Sequence, residues 1–187
     1  RINRILIKLS YRLGISRLAS MPKMLALDPT NLCDLKCPLC PTGLRDKTIE
    51  RGSIKLEQFK MIIDRLAKHL QSINLYSWGE PLLHKSLVDM IRHTAIGHKI
   101  RTITSVHLGN LSDEQVEGIM ISGLDKLIVS VDGATQEVYE KYRVGGDIEK
   151  VFNNMRRLME AKKRHNSKVN IVWNFLVMKQ NEHQMDM

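Results

Sequence analysis

Cysteine is scarce in this 187-residue chain. There are three, Cys33, Cys37 and Cys40, gathered in one short stretch. An odd number excludes complete internal pairing, and so few exclude a disulfide framework, so the chain is expected in a reducing compartment, by default the cytoplasm. Long apolar runs are also missing: no segment approaches the ~18 residues of a membrane span, and no signal peptide is apparent. Acid is missing from residues 1–23, which carry Arg1, Arg4, Lys8, Arg12, Arg17 and Lys23. The net charge of +9 is therefore concentrated there, and 23 basic residues face 20 acidic ones in the remainder. Aromatics are only 5% of the chain, and no run of them is interleaved with these bases, so nucleic acid is not an expected partner. Ile2, Ile5, Leu6, Leu9 and Leu13 recur at helical spacing, giving a basic amphipathic helix within 1–23. Two readings of it stay open: packing against the domain or a missing C-terminal part, or peripheral contact with an anionic membrane face.

What is present is a metal-binding pattern. The segment Leu27 to Asp46 reads LDPTNLCDLKCPLCPTGLRD. Pro29, Pro38, Pro41 and Gly43 keep its backbone out of helix and strand, so three thiolates spaced C-x3-C-x2-C can converge on one point. Three ligands do not close a site. A structural zinc takes four protein ligands and a cubane iron-sulfur cluster normally takes four thiolates, so one position is left open.

Beyond this loop, apolar periodicity alternates between strands and helices. A first strand is expected at Met24 to Leu27 and a helix capped by Ser53 running to about Leu70. Further strands are expected at Ile73 to Ser77, Ile100 to Ser105, Lys126 to Val131 and Val169 to Met178. Helices are expected at Leu87 to about Ile96, after a Ser112/Gln115 capping box and closed by Gly123, around Val138 to Tyr142, and from Ile148 to about Lys163. Strand, loop and helix repeated five times imply parallel strands joined by helical crossovers, with ligands at the carboxyl ends of the strands. The cysteine loop, the turn Trp78-Gly79-Glu80-Pro81 and Asp132-Gly133 all fall at such ends.

These residues resemble the radical S-adenosylmethionine (radical SAM) family. Cys33-x-x-x-Cys37-x-x-Cys40 is similar to its cluster loop, Gly79-Glu80-Pro81 to its Gly-Gly-Glu-Pro segment with Trp78 in place of the first glycine, and Ser130-Val131-Asp132-Gly133 to its ribose-contacting strand end. Thr104-Ser105-Val106-His107 stands where many relatives have Thr-Asn-Gly, and no role is carried onto it. The resemblance covers roughly Met24 to Met178. It implies an α/β fold, a partial TIM-like (β/α)6 barrel with about five βα units present (24–187), preceded by the N-terminal helix (1–23). The sixth unit is expected beyond Met187.

The resemblance also implies two cofactors, a 4Fe-4S cluster on Cys33, Cys37 and Cys40 and S-adenosylmethionine on its open iron. Gly79 and Glu80 would bind the amino group, Ser130, Asp132 and Arg143 the ribose or carboxylate, and Val177 would line the adenine pocket. It implies reductive cleavage of the sulfonium to a 5'-deoxyadenosyl radical that takes hydrogen from a substrate, with reduced flavodoxin or ferredoxin as electron donor. Cys-Pro-x-Cys-Pro-Thr-Gly and Ser-Val-Asp-Gly-Ala-Thr further resemble the SPASM-containing subgroup, several of which modify peptides. The competing expectation is a non-catalytic iron-sulfur or zinc protein, an electron carrier or binding module, in which a fourth side chain such as a histidine completes the metal shell.

Overall fold

The computed structural model describes residues 2–16 and 20–186. Arg1 and Arg17 of the basic segment lie outside them. Five strands, β1 (Met24–Ala26), β2 (Ser72–Asn74), β3 (Arg101–Val106), β4 (Lys126–Ser130) and β5 (Asn170–Asn174), form one sheet in sequence order, every neighbouring pair parallel. Between them run α2 (Leu56–Leu66), α3 (Leu87–Arg92, continued as a π turn His93–Gly97), α4 (Asp113–Ile121), and the pair α5 (Gln136–Tyr142) and α6 (Ile148–Arg164), with α1 (Ile2–Arg12) in front. This is the expected partial (β/α) barrel.

Burial alternates along the strands and gives the sheet two unlike faces. Thr102, Thr104, Val106, Leu127 and Val129 are buried and face the helices. There they meet Phe59 and Ile63 of α2, Met90 and Ile91 of α3, Ile119 of α4, and Val151 and Leu158 of α6. Ile103, Ser105, Ile128 and Ser130 on the other face are only half buried. That face is the inside of the incomplete barrel, and its polar members stand at the carboxyl ends of β3 and β4.

Several boundaries differ from expectation for identifiable reasons. Ser53 does not cap α2; its hydroxyl donates to Thr30 Oγ1 at 2.8 Å, and Ser53 pairs with Thr30 in an antiparallel bridge, so the helix starts at Leu56. The last strand ends at Asn174 because Asp132 Oδ1 takes the amide of Leu176 (2.8 Å) and Asn181 Nδ2 takes the carbonyl of Leu176 (2.9 Å), bending the chain off the ladder. The Ser112/Gln115 capping box is present, with both hydrogen bonds at 3.1 Å. Of the apolar stripe, Ile5, Leu9 and, just past α1, Leu13 are exposed while Leu6 is half buried, and the helix is tied back through Asn3, whose amide pairs with the backbone of Met21.

Tyr139 of α5 is fully buried and its hydroxyl has no hydrogen-bond partner among the described residues. An unpaired buried hydroxyl carries a desolvation cost that phenylalanine avoids. Tyr139→Phe is expected to match or exceed wild-type stability by up to ~1 kcal/mol, and a denaturation midpoint below wild type would contradict this packing.

Candidate active site

The loop that follows β1 is held open by the chain around it. Asn31 fixes its base: its amide donates to Gly52 O (3.1 Å), and its side chain bridges Glu50 O and Gly52 N at 2.8 Å each. Asp28 accepts the amide of Trp78 (3.0 Å), binding the cysteine loop to the turn after β2, and Lys36 N reaches Val144 O (2.9 Å) beyond α5. Inside the loop, the amide of Cys40 donates to Cys37 O (3.2 Å) and that of Leu44 to Cys40 O (2.8 Å), so the chain coils on itself. Gly43 closes the coil, since a Cβ there would stand 2.4 Å from Cys37 O and 2.6 Å from Cys37 N. Gly43→Ala is therefore expected to cost about 2–3 kcal/mol, the scale of overpacking, and to lower iron uptake with it. Wild-type stability and iron content in this variant would show that the coil is not needed.

The three thiols line one cavity of about 310 Å³, within the size range of small-molecule sites. Its walls come from the ends of three further strands: Tyr76 to Glu80 after β2, Ser105 to His107 at β3, and Ser130 at β4, with Arg143 from the end of α5. Cys33, Cys37, Cys40, Gly79, Glu80, Ser130 and Arg143 are thus brought together. Asp132 and Val177 are not among the lining residues. Val177 is half exposed in a separate depression with Trp173 and Met185. Asp132 is fully buried, its Oδ2 taking Arg143 Nε at 2.6 Å and its Oδ1 the Leu176 amide. It sets where Arg143 points.

Arg143 is largely buried, and burial alone would lower its pKa; the charges of Asp132 and Cys37 reverse this and raise it, so the guanidinium stays charged. Burial pushes the Cys37 thiol up, while Arg143 beside it works the other way. The cavity therefore offers a fixed cation on one wall and thiols on its floor.

Glu80 is buried, its Oε1 accepting the Leu82 amide (3.1 Å) and its Oε2 the His107 amide (2.8 Å). Burial raises its pKa against the pull of the His107 ring, whose Nε2 lies 3.3 Å from Oε2. Gly79 before it presses on the cysteine loop: a Cβ there would fall 1.8 Å from Thr30 O. Only glycine permits that approach. Trp78, which stands in place of the first glycine of the family segment, is half exposed and lines the same cavity.

Asp34 is a site residue that the sequence did not single out, and His107 is one that it placed near a strand end and gave no role. His107 is buried; its Nε2 hydrogen-bonds Asp34 Oδ1 (2.8 Å), and Asp34 Oδ2 accepts Asn110 Nδ2 (2.6 Å). Burial would lower the His107 pKa, but Glu80, Asp34 and the Cys33 sulfur lift it to about 10. The Gly109 amide donating to Nδ1 (3.0 Å) favours the neutral ring; with two carboxylates within 3.3 Å we take the charge as the stronger influence. The available signal was position: Asp34 follows the first cysteine, and His107 follows the last residue of β3. His84, by contrast, pins loops, with Nε2 on Ile54 O and Nδ1 accepting the Ser86 amide.

As placed, the three thiols do not close on a single ion. A zinc bound ~2.3 Å from each thiolate sets the sulfurs roughly 3.8 Å apart. Among the described residues, the trios whose ligand atoms all lie within 4.8 Å are Cys33, Asp34, His107 and Asp64, His93, His98; the three cysteines are not such a trio. His107 stands in the first of these trios, with its Nε2 on Asp34 Oδ1.

Residues 27–184 match the family model described as the radical SAM superfamily. The chain belongs to that superfamily. It is 31% identical over 136 residues to PqqA peptide cyclase of Rhodopseudomonas palustris, covering 71% of this chain and 34% of the relative. It is 29% identical over 127 residues to AdoMet-dependent heme synthase of Methanosarcina barkeri, covering 67% and 36%. The chain thus spans about a third of the length of each. In fold it matches Streptococcus suis SuiB bound to S-adenosylmethionine, with TM-score 0.73 at 18% identity over 97% of this chain and 40% of that one.

Proposed function

We propose that the chain is the S-adenosylmethionine-cleaving core of a radical SAM enzyme, with a 4Fe-4S cluster on Cys33, Cys37 and Cys40. The observation that carries this reading is the gathering of three unpaired thiols, an acidic turn and a buried arginine around one cavity at the carboxyl ends of parallel strands. When bound, the cluster would supply the electron that cleaves the sulfonium. The protein's part is binding and orientation. Arg143, aimed by Asp132, suits the carboxylate of the amino acid moiety, and a guanidinium fits a carboxylate bidentately. Ser105 and Ser130, with their hydroxyls 3.5 Å apart, suit the carboxylate or ribose hydroxyls. Glu80 and the backbone of Gly79 suit the ammonium group. Asp132 acts through Arg143, and Val177 has no role in this cavity.

Reduced flavodoxin or ferredoxin is the proposed electron donor. A peptide is the proposed substrate class, supported by likeness to the peptide cyclase and to the structure of SuiB bound to precursor peptide SuiA. The SPASM-type motifs of the cysteine loop and of residues 130–135 agree with it. Anaerobic reconstitution with iron and sulfide, followed by dithionite and S-adenosylmethionine, is expected to yield 5'-deoxyadenosine by mass spectrometry. A reconstituted, reduced protein that forms none would overturn the proposal.

The exposed Ile5 and Leu9 of α1, with Lys8 and Arg12 on the same helix, support peripheral contact of residues 1–23 with an anionic membrane face. Among the described residues no helix is long and apolar enough to cross a membrane. Cosedimentation with phosphatidylserine vesicles is expected and should weaken in high salt; no vesicle binding at low salt would contradict this contact.

A further inference from the structure

At the amino-terminal ends of the strands, opposite the cysteine cavity, a second group of ligand atoms converges. Asp64 in the last turn of α2 has its Oδ1 2.8 Å from His93 Nε2 and 2.7 Å from His98 Nε2, and all three ligand atoms lie within 4.8 Å of one another. We propose that Asp64, His93 and His98 form a second metal site, for a divalent ion of the zinc class, that clamps α2 to the segment joining α3 to β3.

Two independent features support it. The first is the donor set: two imidazoles and one carboxylate are the ligands zinc takes when it keeps a further position for water. The side chains are 22%, 27% and 54% exposed for His93, His98 and Asp64, so an ion can enter without opening the core.

The second is the backbone. His93 and His98 are five apart, and in a regular α-helix positions five apart point roughly 140° away from each other. Here the turn His93–Gly97 is π-helical, a rare form that widens the helix, brings positions five apart onto one side and recurs at functional sites. The widened turn is what lets both rings face Asp64, with centroids 4.9 Å apart and planes at 80°. Each Nε2 now shares a proton with Asp64; on metal binding that proton would leave or pass to Nδ1, freeing Nε2 as donor. Arg65 and Lys68 border the same depression, so solvent or an anion, not a second cation, would fill the remaining positions.

The test is zinc titration of the full chain by calorimetry, comparing wild type, His98→Gln, Asp64→Asn and Cys33→Ser, with circular dichroism as the check on folding. The expected result is one zinc equivalent that survives Cys33→Ser and is lost or weakened more than ~100-fold in His98→Gln and Asp64→Asn, beyond what loss of an outer-shell partner alone would cost. Zinc should also raise the unfolding temperature of wild type but not of His98→Gln. Unchanged binding in His98→Gln, or no zinc beyond what Cys33→Ser removes, would overturn the proposal. Because the readout separates the thiols from the histidines, failure here is distinct from failure of the cysteine site to hold a cluster.

Discussion

Cys37→Ala, reconstituted beside wild type, is expected to lose the iron-sulfur absorbance and to drop 5'-deoxyadenosine formation to background. Outer-shell changes at metal sites cost about 10- to 100-fold, and loss of a ligand itself should exceed the upper figure. Cys37 is the most buried of the three thiols, and Gly43 packs against its backbone. Cys33→Ala and Cys40→Ala should fail in the same way, because three ligands already leave the cluster one short. Retention of wild-type iron and sulfide in any of the three would remove that residue from the ligand set.

His107→Ala is expected to produce the largest loss of stability. The ring sits between Glu80 and Asp34, and its removal leaves the Glu80 carboxylate buried with only two backbone amides. Breaking a buried ion pair from one side costs about 3–5 kcal/mol, which for a chain of this length lowers the melting temperature by roughly 6–20 °C. Replacing both partners, Glu80→Gln with His107→Gln, should cost less than the sum of the single changes, because no charge is then stranded. Thermal unfolding of the four proteins measures this coupling. Additive effects would mean that the pair does not interact, and would also detach the acidic turn from the cysteine loop, since Asp34 is the third member of the network.

Most of the fold was legible because its signals are local. Five apolar runs separated by amphipathic helices specify a parallel sheet, and the Ser112/Gln115 box marks a helix start by residue type and spacing alone. The misread boundaries are those decided at long range. Ser53 looks like a helix cap until Thr30, distant in sequence, takes its hydroxyl. The run Val169 to Met178 looks like one strand until Asp132 and Asn181 capture the backbone at Leu176.

The site divides in the same way. The cysteines, Gly79-Glu80 and Ser130 are contiguous motifs at strand ends and could be found by pattern. Asp132 was found by pattern, but its place in the structure is behind Arg143, where its charge orients the guanidinium. His107 and Asp34, 73 residues apart, carry no motif, and their pairing exists only once β1 and β3 have been brought into one sheet.

Electron paramagnetic resonance of the reduced, reconstituted chain before and after addition of S-adenosylmethionine tests the central claim most directly. A cluster held by Cys33, Cys37 and Cys40 alone should give a 4Fe-4S signal whose shape changes when the cofactor binds its open iron. A signal indifferent to the cofactor, or tight zinc bound by the three thiols with a fourth side chain, would contradict it.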